Sequence, residues 1–412
     1  MKRIAVVKFI LSFGILFLSA TSGAQDILDQ YLVKAAENNP GLKQKFNEYL
    51  AALEVAPQAR ALPDPQLAFG YFIQPVETRV GPQEFRISVN QMFPWFGTLK
   101  ARENVAIQSA KAKFEAFEEA RSRLFNDVKG LYYNLYYNQK AIEIVMAHLN
   151  ILDSFRELAL IKVEAGMVSP VDEYRIEMEI GDLENQLAAL KDQKWTLEVA
   201  FFNLLNTERS AIALPDTLWN NDPFLSRQAI LDTIMVRNHT LLELEMERES
   251  IRYRKELAQK KGNPEFSIGL DYIVVGKGEN NLSGKDAFMF PRIGISIPLY
   301  RNKYRAMISE AAFLETAKEN ETLNKKNRLV TLFENTWKEF QDANRRFILY
   351  NDQLQLAEKS IQLLEVQYAT ANANFEEILR MERKQLHYAL ELEKARTDKQ
   401  ATISFMDYMM GR

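Results

Sequence analysis

The chain has 412 residues, of which 47% are apolar and 26% charged, and its formal net charge is −3. These proportions exclude a disordered chain and a bundle of membrane helices, and no basic block points to nucleic acid as a partner. Only 16 glycines and 13 prolines occur, which favours long uninterrupted helices over an all-β domain. The absence of cysteine excludes disulfides, thiolate metal sites and a lipidated N-terminal cysteine.

The first two dozen residues have the layout of a secretory signal peptide. Positive charges at Lys2, Arg3 and Lys8 precede an apolar run over residues 9–20, and small residues follow at 22–24. The apolar run is about a dozen residues long, whereas a membrane anchor needs ~20. We therefore predict that residues 1–24 are a cleaved signal peptide and that the chain is exported. No later stretch reaches ~18 uncharged apolar residues, so no transmembrane helix is predicted.

The rest of the chain carries an internal duplication. A shift of 199 residues aligns Asn39 with Asn238, and a shift of 205 aligns Ala101 with Ala306. Identity is sparse, but the order of elements is the same in both halves, which indicates two structural repeats over residues 25–225 and 226–412. Each repeat is expected to contain a helix, two strands around a loop, a very long helix, a turn and a returning helix.

Both repeats contain a pair of segments with the period-two pattern of half-buried strands. These predicted strands are residues 66–74 and 84–93 in the first repeat and 265–275 and 288–299 in the second. In one of them apolar and polar residues alternate between the two faces, with Phe85, Ile87 and Val89 opposite Arg86, Ser88 and Asn90. Such lengths suit tilted strands that cross a membrane, and an aromatic girdle is expected at its interface from Trp95, Phe96, Tyr300 and Tyr304.

Four strands from one chain do not close a barrel. An open sheet would leave unpaired backbone groups at its edges, which lipid cannot hydrate. Small closed barrels need about eight strands. If these strands span a membrane, several copies of the chain have to share one barrel.

The helices make up most of the chain. Nothing interrupts the helical pattern over residues 99–165, which corresponds to ~100 Å at 1.5 Å per residue. Apolar residues recur there in steps of four and three, as in a coiled-coil seam. A turn at 166–170 returns the chain, so the first antiparallel hairpin is predicted over residues 99–206 and the second over 301–410. A loop at 207–225 separates the repeats.

No catalytic or metal-binding constellation is present. His148, His239 and His387 lack the spacing of metal ligands, and Met406, Met409 and Met410 are expected to pack in a terminal helix. The segment 278–285 departs from a phosphate-binding loop in spacing and is predicted to be a loop between two strands. No cofactor, metal site or enzymatic activity is therefore predicted.

With these features in place, the sequence resembles the TolC family of outer-membrane efflux proteins over essentially all of the mature chain. The resemblance is carried by the duplicated strand pairs, by the segment 88–100 with its counterpart at 295–300, and by Ala165-Gly166-Met167 at the first helical tip. The segment Phe-Pro-Trp-Phe-Gly at 93–97 is more similar to the corresponding sequences of the heavy-metal (cation) efflux branch than to those of the drug branch.

The resemblance implies a mainly helical fold with membrane β-structure. It implies a homotrimer in the outer membrane whose twelve strands form one β-barrel, continued by an α-barrel in the periplasm. It further implies a passive exit duct, in contact with outer-membrane lipid, that works with a periplasmic adaptor (membrane fusion protein). The third component would be an inner-membrane pump, commonly of the resistance-nodulation-division class.

The resemblance also assigns roles to residues at the helical tips. In the family, carboxylates just past the tip turns ring the closed periplasmic entrance, which makes Asp172 and Glu377 gate candidates. Arg380 stands where the family has a further acid. The residues expected to dock the adaptor are Gly166, Met167, Val168, Ala371, Asn372, Ala373 and Asn374. Acids at a helix start are also favoured by the helix dipole alone, so this simpler interpretation of Asp172 and Glu377 stays open.

Other functions remain in view. A periplasmic adaptor or another coiled-coil structural protein would need lipoyl and small barrel domains around one hairpin, whereas two hairpins are predicted here. An enzyme on a helical scaffold lacks its catalytic residues. The outer-membrane duct of a type I protein secretion system has the same expected architecture. Metal cations, drugs and peptides all stay open as substrates, because a conduit contacts its cargo weakly.

Overall fold

The computed structural model describes residues 23–166, 169–278, 284–370 and 375–412. The first half contains α1 (Gly23–Asn38), α2 (Pro40–Arg60), β1 (Gln66–Thr78), β2 (Gly81–Phe93), α3 (Thr98–Glu164) and α4 (Pro170–Leu205). The second half contains α5 (Arg227–Arg237), α6 (His239–Lys261), β3 (Glu265–Val275), β4 (Ala287–Ser296), α7 (Arg301–Thr370) and α8 (Phe375–Met409). The mainly helical fold with antiparallel strands is thereby confirmed. The predicted signal peptide lies outside the described residues up to position 22.

The four strands form one antiparallel sheet in the order β1-β2-β3-β4. The pairings Phe69 with Ile87, Val89 with Leu270 and Ile268 with Ile293 place apolar residues of all four strands on one face. We call this the apolar face, and much of it is exposed: Phe69 by 63%, Ile73 by 90% and Ile293 by 70%. The opposite face, the polar face, carries Arg86, Ser88, Asn90, Asp271 and Arg292.

The strand ends differ slightly from the lengths read off the sequence. β1 continues to Thr78, past Pro75, because its register with β2 shifts between Tyr71 and Val76. Proline has no N–H to donate, and such an irregular stretch needs no ladder hydrogen bond at that position. At the other side of the sheet β4 ends at Ser296, shortly before Pro298.

The two short helical segments are each divided in two. Pro40 begins α2, and it disfavours a helical conformation for the preceding Asn39. Asn238 separates α5 from α6 in an extended conformation (φ −62°, ψ 120°). The side-chain amides occupy matching places, because Asn39 donates to the Leu204 carbonyl at 2.9 Å and Asn238 to the Met409 carbonyl at 3.0 Å. Tertiary hydrogen bonds therefore accompany both helix breaks.

The chain divides into two compact units. The hairpin unit contains the described chain up to Pro40 with Arg123–Phe224 and Thr336–Tyr408. The sheet unit contains Gly41–Ser122, Leu225–Asn335 and Met409–Arg412. Each unit therefore draws on both sequence repeats. None of the helices within the described ranges is long and apolar enough to cross a bilayer.

The core of the hairpin unit lies along the predicted coiled-coil seams. It includes Val145 and Leu152 of α3, Ile176 and Ile180 of α4, and Ile378 of α8. Two polar residues interrupt the seams, and both find partners across the first hairpin. Asn138 donates to the Leu190 carbonyl at 3.0 Å, and Lys194 donates to the side chain of Gln139 at 2.9 Å. These hydrogen bonds offset part of the cost of burying the two side chains, although the buried Asn138 Oδ1 accepts no hydrogen bond from the described residues.

The loop between the repeats packs against helices of the hairpin unit. Leu218 is 1% exposed, and the Trp219 ring contacts the Tyr133 ring at a centroid distance of 6.1 Å. The ammonium group of Lys399, itself buried, lies 2.7 Å from the carboxylate of Asp222. This loop is therefore packed against the helices and is not a free linker.

Candidate functional site at the helical tips

At the first tip, α3 is followed by a turn at Gly166, and α4 begins at Pro170. Gly166 has φ +69°, a left-handed conformation that glycine adopts without strain, and its N–H donates to the Val163 carbonyl at 2.9 Å. Ser169 then caps α4 by accepting a hydrogen bond from the Val171 N–H at 3.3 Å. Pro170 begins the helix, where no N–H is required. Gly166 thus accounts for the end of α3, and Ser169 with Pro170 accounts for the start of α4.

Most of the predicted docking residues are not described. Met167 and Val168 at the first tip lie outside the described residues, as do Ala371, Asn372, Ala373 and Asn374 at the second. Gly166 is the one docking candidate whose conformation is described, and it is exposed.

Aromatic side chains pack directly below the tips. Phe375 at the start of α8 is 2% exposed, and its ring lies 5.8 Å from that of Phe155 and 5.3 Å from that of Tyr368. The Lys162 ammonium group donates to the Tyr368 carbonyl at 2.9 Å and lies 3.5 Å above the Tyr368 ring. Burial, and secondly the negative charge of Asp172, raise the pKa of Tyr368. Both hairpins therefore meet in one aromatic core.

The acidic residues of the two tips share one arginine. Asp172 and Glu376 lie in the first turns of α4 and α8, where the helix dipole favours carboxylates. The Arg175 guanidinium lies 3.3 Å from Asp172 and 2.9 Å from Glu376. Arg175 therefore links the first turn of one returning helix to the first turn of the other.

Glu377, the acid singled out from the sequence, has a more open setting. It pairs with Arg380 of its own helix at 3.7 Å, and these side chains are 56% and 64% exposed. The sequence reasoning missed Arg175 and Glu376. The spacing of Asp172 and Arg175, three residues apart on a helix, was a usable signal for one pair. The contact with Glu376 depends on tertiary packing alone.

One further ion pair and one buried histidine–glutamate contact lie below the tips. Arg383 of α8 lies 2.7 Å from Glu179 of α4. Glu382 of α8 lies 3.3 Å from the imidazole of His148 in α3, and both of these side chains are buried. Together with the Arg175–Glu376 pair, these contacts connect α8 to both helices of the first hairpin.

Of the four predicted interface aromatics, Trp95, Phe96 and Tyr300 lie just past the ends of β2 and β4, and Tyr304 lies in the first turn of α7. These strands run in the same direction, so both ends are at one edge of the sheet. Phe96 and Tyr300 are 81% and 85% exposed, whereas Trp95 is half-buried and stacks on Phe266 at 5.8 Å. A Cβ built on Gly262 would lie 3.6 Å from the ring of Tyr304.

Within the described ranges, no three histidine, aspartate or glutamate side chains are grouped so that they could hold a metal ion. His239 is hydrogen-bonded to Glu115 at 2.8 Å, and the His387 ring contacts that of Tyr350 at 6.0 Å. Met406, Met409 and Met410 are buried, as a packing role requires. Charge and packing, rather than coordination chemistry, characterise the described residues.

Comparison with known proteins shows which family model and which solved structures this chain is similar to. The family model of outer membrane efflux proteins matches residues 31–207. A search of curated proteins by sequence finds no significant match. The outer membrane protein VceC of Vibrio cholerae has 16% identity and a TM-score of 0.72, with 93% of this chain and 94% of that chain covered.

Two further solved structures are similar. CusC, described in terms of transmembrane channel formation, has 18% identity and a TM-score of 0.72 over 96% of this chain and 95% of that chain. The open state of the MtrE outer membrane channel of Neisseria gonorrhoeae has 13% identity and a TM-score of 0.74 over 93% and 89%. At these identities the likeness establishes the fold. The resemblance expected from the sequence is confirmed: residues 31–207 match the family model of outer membrane efflux proteins, and nearly the whole chain has the fold of solved outer membrane channels.

Proposed function

We propose that this protein is the outer-membrane exit duct of a tripartite efflux system. It passively conducts substrates that an inner-membrane pump delivers through a periplasmic adaptor, and it extends from the outer membrane into the periplasm. The observation that carries the proposal is the sheet with one exposed apolar face and one polar face, attached to two very long helical hairpins. The apolar face suits acyl chains, and the polar face suits a water-filled lumen.

Three copies of the chain supply the barrel. In one chain β1 and β4 are edge strands, and their outward N–H and C=O groups have no strand partner. In lipid each unsatisfied group costs several kcal/mol, so the edges have to pair. Because β1 and β4 run in opposite directions, pairing β4 of one copy with β1 of the next keeps the sheet antiparallel. Twelve strands then close one barrel.

The orientation follows from the aromatic edge of the sheet. Trp95, Phe96 and Tyr300 lie between the strands and the long helices, and Tyr304 lies in the first turn of α7, where an interfacial girdle belongs. This edge faces the periplasm, and the hairpins form the periplasmic α-barrel. Their tips then point toward the inner membrane and dock the adaptor through Gly166, Met167, Val168 and residues 371–374.

Gating belongs to the same tips. Arg175 holds Asp172 and Glu376 together across the two returning helices, and Glu377 and Arg380 stand exposed beside them. Opening of the entrance requires the hairpins to shift, which separates such pairs. The pump, of the resistance-nodulation-division class, supplies the energy and selects among metal cations, drugs or peptides.

Fractionation and bilayer recording test this function. We expect a trimer in the outer-membrane fraction that is stable in sodium dodecyl sulfate and dissociates on heating, and we expect channel activity in planar bilayers. A monomer in the soluble periplasmic fraction, or a protein held by the inner membrane, would contradict the proposal and favour an adaptor or another coiled-coil protein.

A further inference from the structure

The polar face of the sheet carries a cluster of charges around a buried acid. Asp271 of β3 has a fully covered side chain, and its carboxylate lies 2.7 Å from the Arg86 guanidinium and 3.4 Å from that of Arg292. The Ser88 hydroxyl donates to its other oxygen at 2.5 Å. Arg86 also donates to the Ser88 hydroxyl at 3.1 Å. Side chains from three neighbouring strands therefore enclose one carboxylate.

Small residues make room for the two arginines. Gly269 pairs with Arg292, and a Cβ at position 269 would lie 3.0 Å from the Arg292 guanidinium. Gly70 pairs with Arg86, and a Cβ there would lie 3.9 Å from the Arg86 side chain. The Arg292 side chain passes over the backbone of Gly269, which has no side chain, to reach Asp271. The sheet is therefore shaped to hold these side chains along its polar face.

The exposed charge of this cluster is positive. The Arg86 and Arg292 side chains are 38% and 39% exposed, whereas the Asp271 side chain is 0% exposed. Two positive charges and one negative charge leave a net charge of +1 per chain at this level of the sheet.

The carboxylates of Glu84 and Glu265, two further acids of the polar face, lie away from this cluster toward the two ends of the strands. A Cβ on Gly276 would contact the Glu84 carboxylate, so that group points away from Arg86 to a position five residues beyond Asp271, or ~16 Å along the strand. Glu265, six residues in the other direction, is ~20 Å away along the strand. Both distances exceed the Debye length of ~8 Å at physiological ionic strength.

We propose that Arg86 and Arg292, positioned by Asp271, make the outer-membrane passage of this duct selective for anionic solutes. The inference rests on the proposed function, because three copies would place three such clusters at one level of a shared lumen. Arginine rings favour anions in pores, and a narrow passage with low-dielectric walls strengthens their field. Asp271 is the positioning residue: it offsets the repulsion between two guanidinium groups without presenting its own charge to the lumen.

Ion selectivity in planar bilayers tests the inference. The purified trimer is recorded in a potassium chloride gradient, and the reversal potential yields the permeability ratio of chloride to potassium. We expect the wild type to favour chloride and Arg86→Gln with Arg292→Gln to lower that ratio by at least about twofold, since one unit charge at ~10 Å in water already has an effect of that size. Arg86→Lys with Arg292→Lys keeps the charge and is expected to keep the selectivity.

The control is Arg79→Gln, which removes one positive charge from the exposed turn between β1 and β2 and should change the ratio little. If the double glutamine variant forms no trimer, Arg292→Gln alone replaces it in the measurement. Arg292 has the longer contact with Asp271, so its loss should disturb the sheet less than the loss of Arg86. A wild-type channel that prefers potassium, or a ratio that the glutamine variants leave unchanged, overturns the inference. Failure of the wild type to form any channel contradicts the proposed function itself.

Discussion

The imidazole of His148 and the carboxylate of Glu382 form a buried pair, with 3.3 Å between Nδ1 and Oε2. His148 belongs to α3 and Glu382 to α8, so the pair joins the first hairpin to the second just below the tips. The two side chains are 9% and 5% exposed, which leaves little room for water to replace either partner.

We expect Glu382→Ala to destabilise the hairpin unit by about 2–3 kcal/mol, because it strands a buried polar group. Glu382→Gln, which keeps the shape and a hydrogen-bonding group, should cost less. The midpoint of urea unfolding, followed by circular dichroism, measures both. Glu377→Ala is the matched control: its side chain is 56% exposed, so a change within ~0.5 kcal/mol is expected. Equal losses for Glu382→Ala and Glu377→Ala would contradict the importance of the buried pair.

Arg175→Gln tests the link between the tips. It removes the cation that Asp172 and Glu376 share, so we expect a looser entrance and a larger mean conductance in planar bilayers. Arg156→Gln is the control, because Arg156 pairs only with Asp153 of its own helix at 2.9 Å among the contacts described. An equal mean conductance for Arg175→Gln and the wild type would count against this link.

The acidic residues of the entrance are tested by Asp172→Asn with Glu377→Gln. We expect a higher conductance or a weaker block by divalent cations, since a ring of carboxylates attracts cations to a constriction. Glu184→Gln, an exposed acid farther along α4, is the control. If single-channel currents and block stay at the wild-type level, the two acids serve only to begin their helices.

Asn238→Ala is expected to lower stability by about 1–3 kcal/mol, because it leaves the Met409 carbonyl without its side-chain donor. Asn39→Ala removes the matching hydrogen bond to Leu204, but Asn39 is only half-buried. Its cost should therefore be smaller. Thermal unfolding of the two variants compares them, and a larger loss for Asn39→Ala would contradict this ranking.

Stability should fall as the pH rises through the titration of His239. Burial lowers the pKa of His239, but the hydrogen bond and negative charge of Glu115 outweigh it and raise the pKa above its usual value. Protonated His239 therefore contributes stability that is full below the unfolded-state pKa of ~6.5 and is lost as pH passes the higher folded-state value. Burial also raises the pKa of the nearby Glu118. A raised carboxyl pKa likewise makes the folded state less stable as the pH rises.

We expect the wild type to melt at a lower temperature at pH 8 than at pH 6, and His239→Gln to flatten this difference. His387→Gln, at an exposed position, should leave it intact. Calorimetry at both pH values measures the effect, and a His239→Gln profile parallel to that of the wild type would refute it.

Local patterns account for much of this fold. Period-two alternation in segments such as 84–93 defines strands with two different faces, and seven-residue spacing defines the helical seams, because both depend only on how side chains project from a regular backbone. The Gly166 turn and the start of α4 at Pro170 follow equally from local conformational preferences. The need for several copies also follows from the sequence, since four amphipathic strands leave two edges unpaired.

Only the tertiary structure decided which charges meet. Arg86 and Asp271 are 185 residues apart along the chain, and the pairs Arg175 with Glu376 and His148 with Glu382 are farther apart still. No periodicity encodes such contacts, because they depend on how distant elements pack and in which register. The same holds for the break at Asn238, whose side-chain N–H donates to a carbonyl 171 residues away. The sequence by itself determined the elements and their faces, whereas packing determined the electrostatic links on which gating and selectivity are proposed to rest.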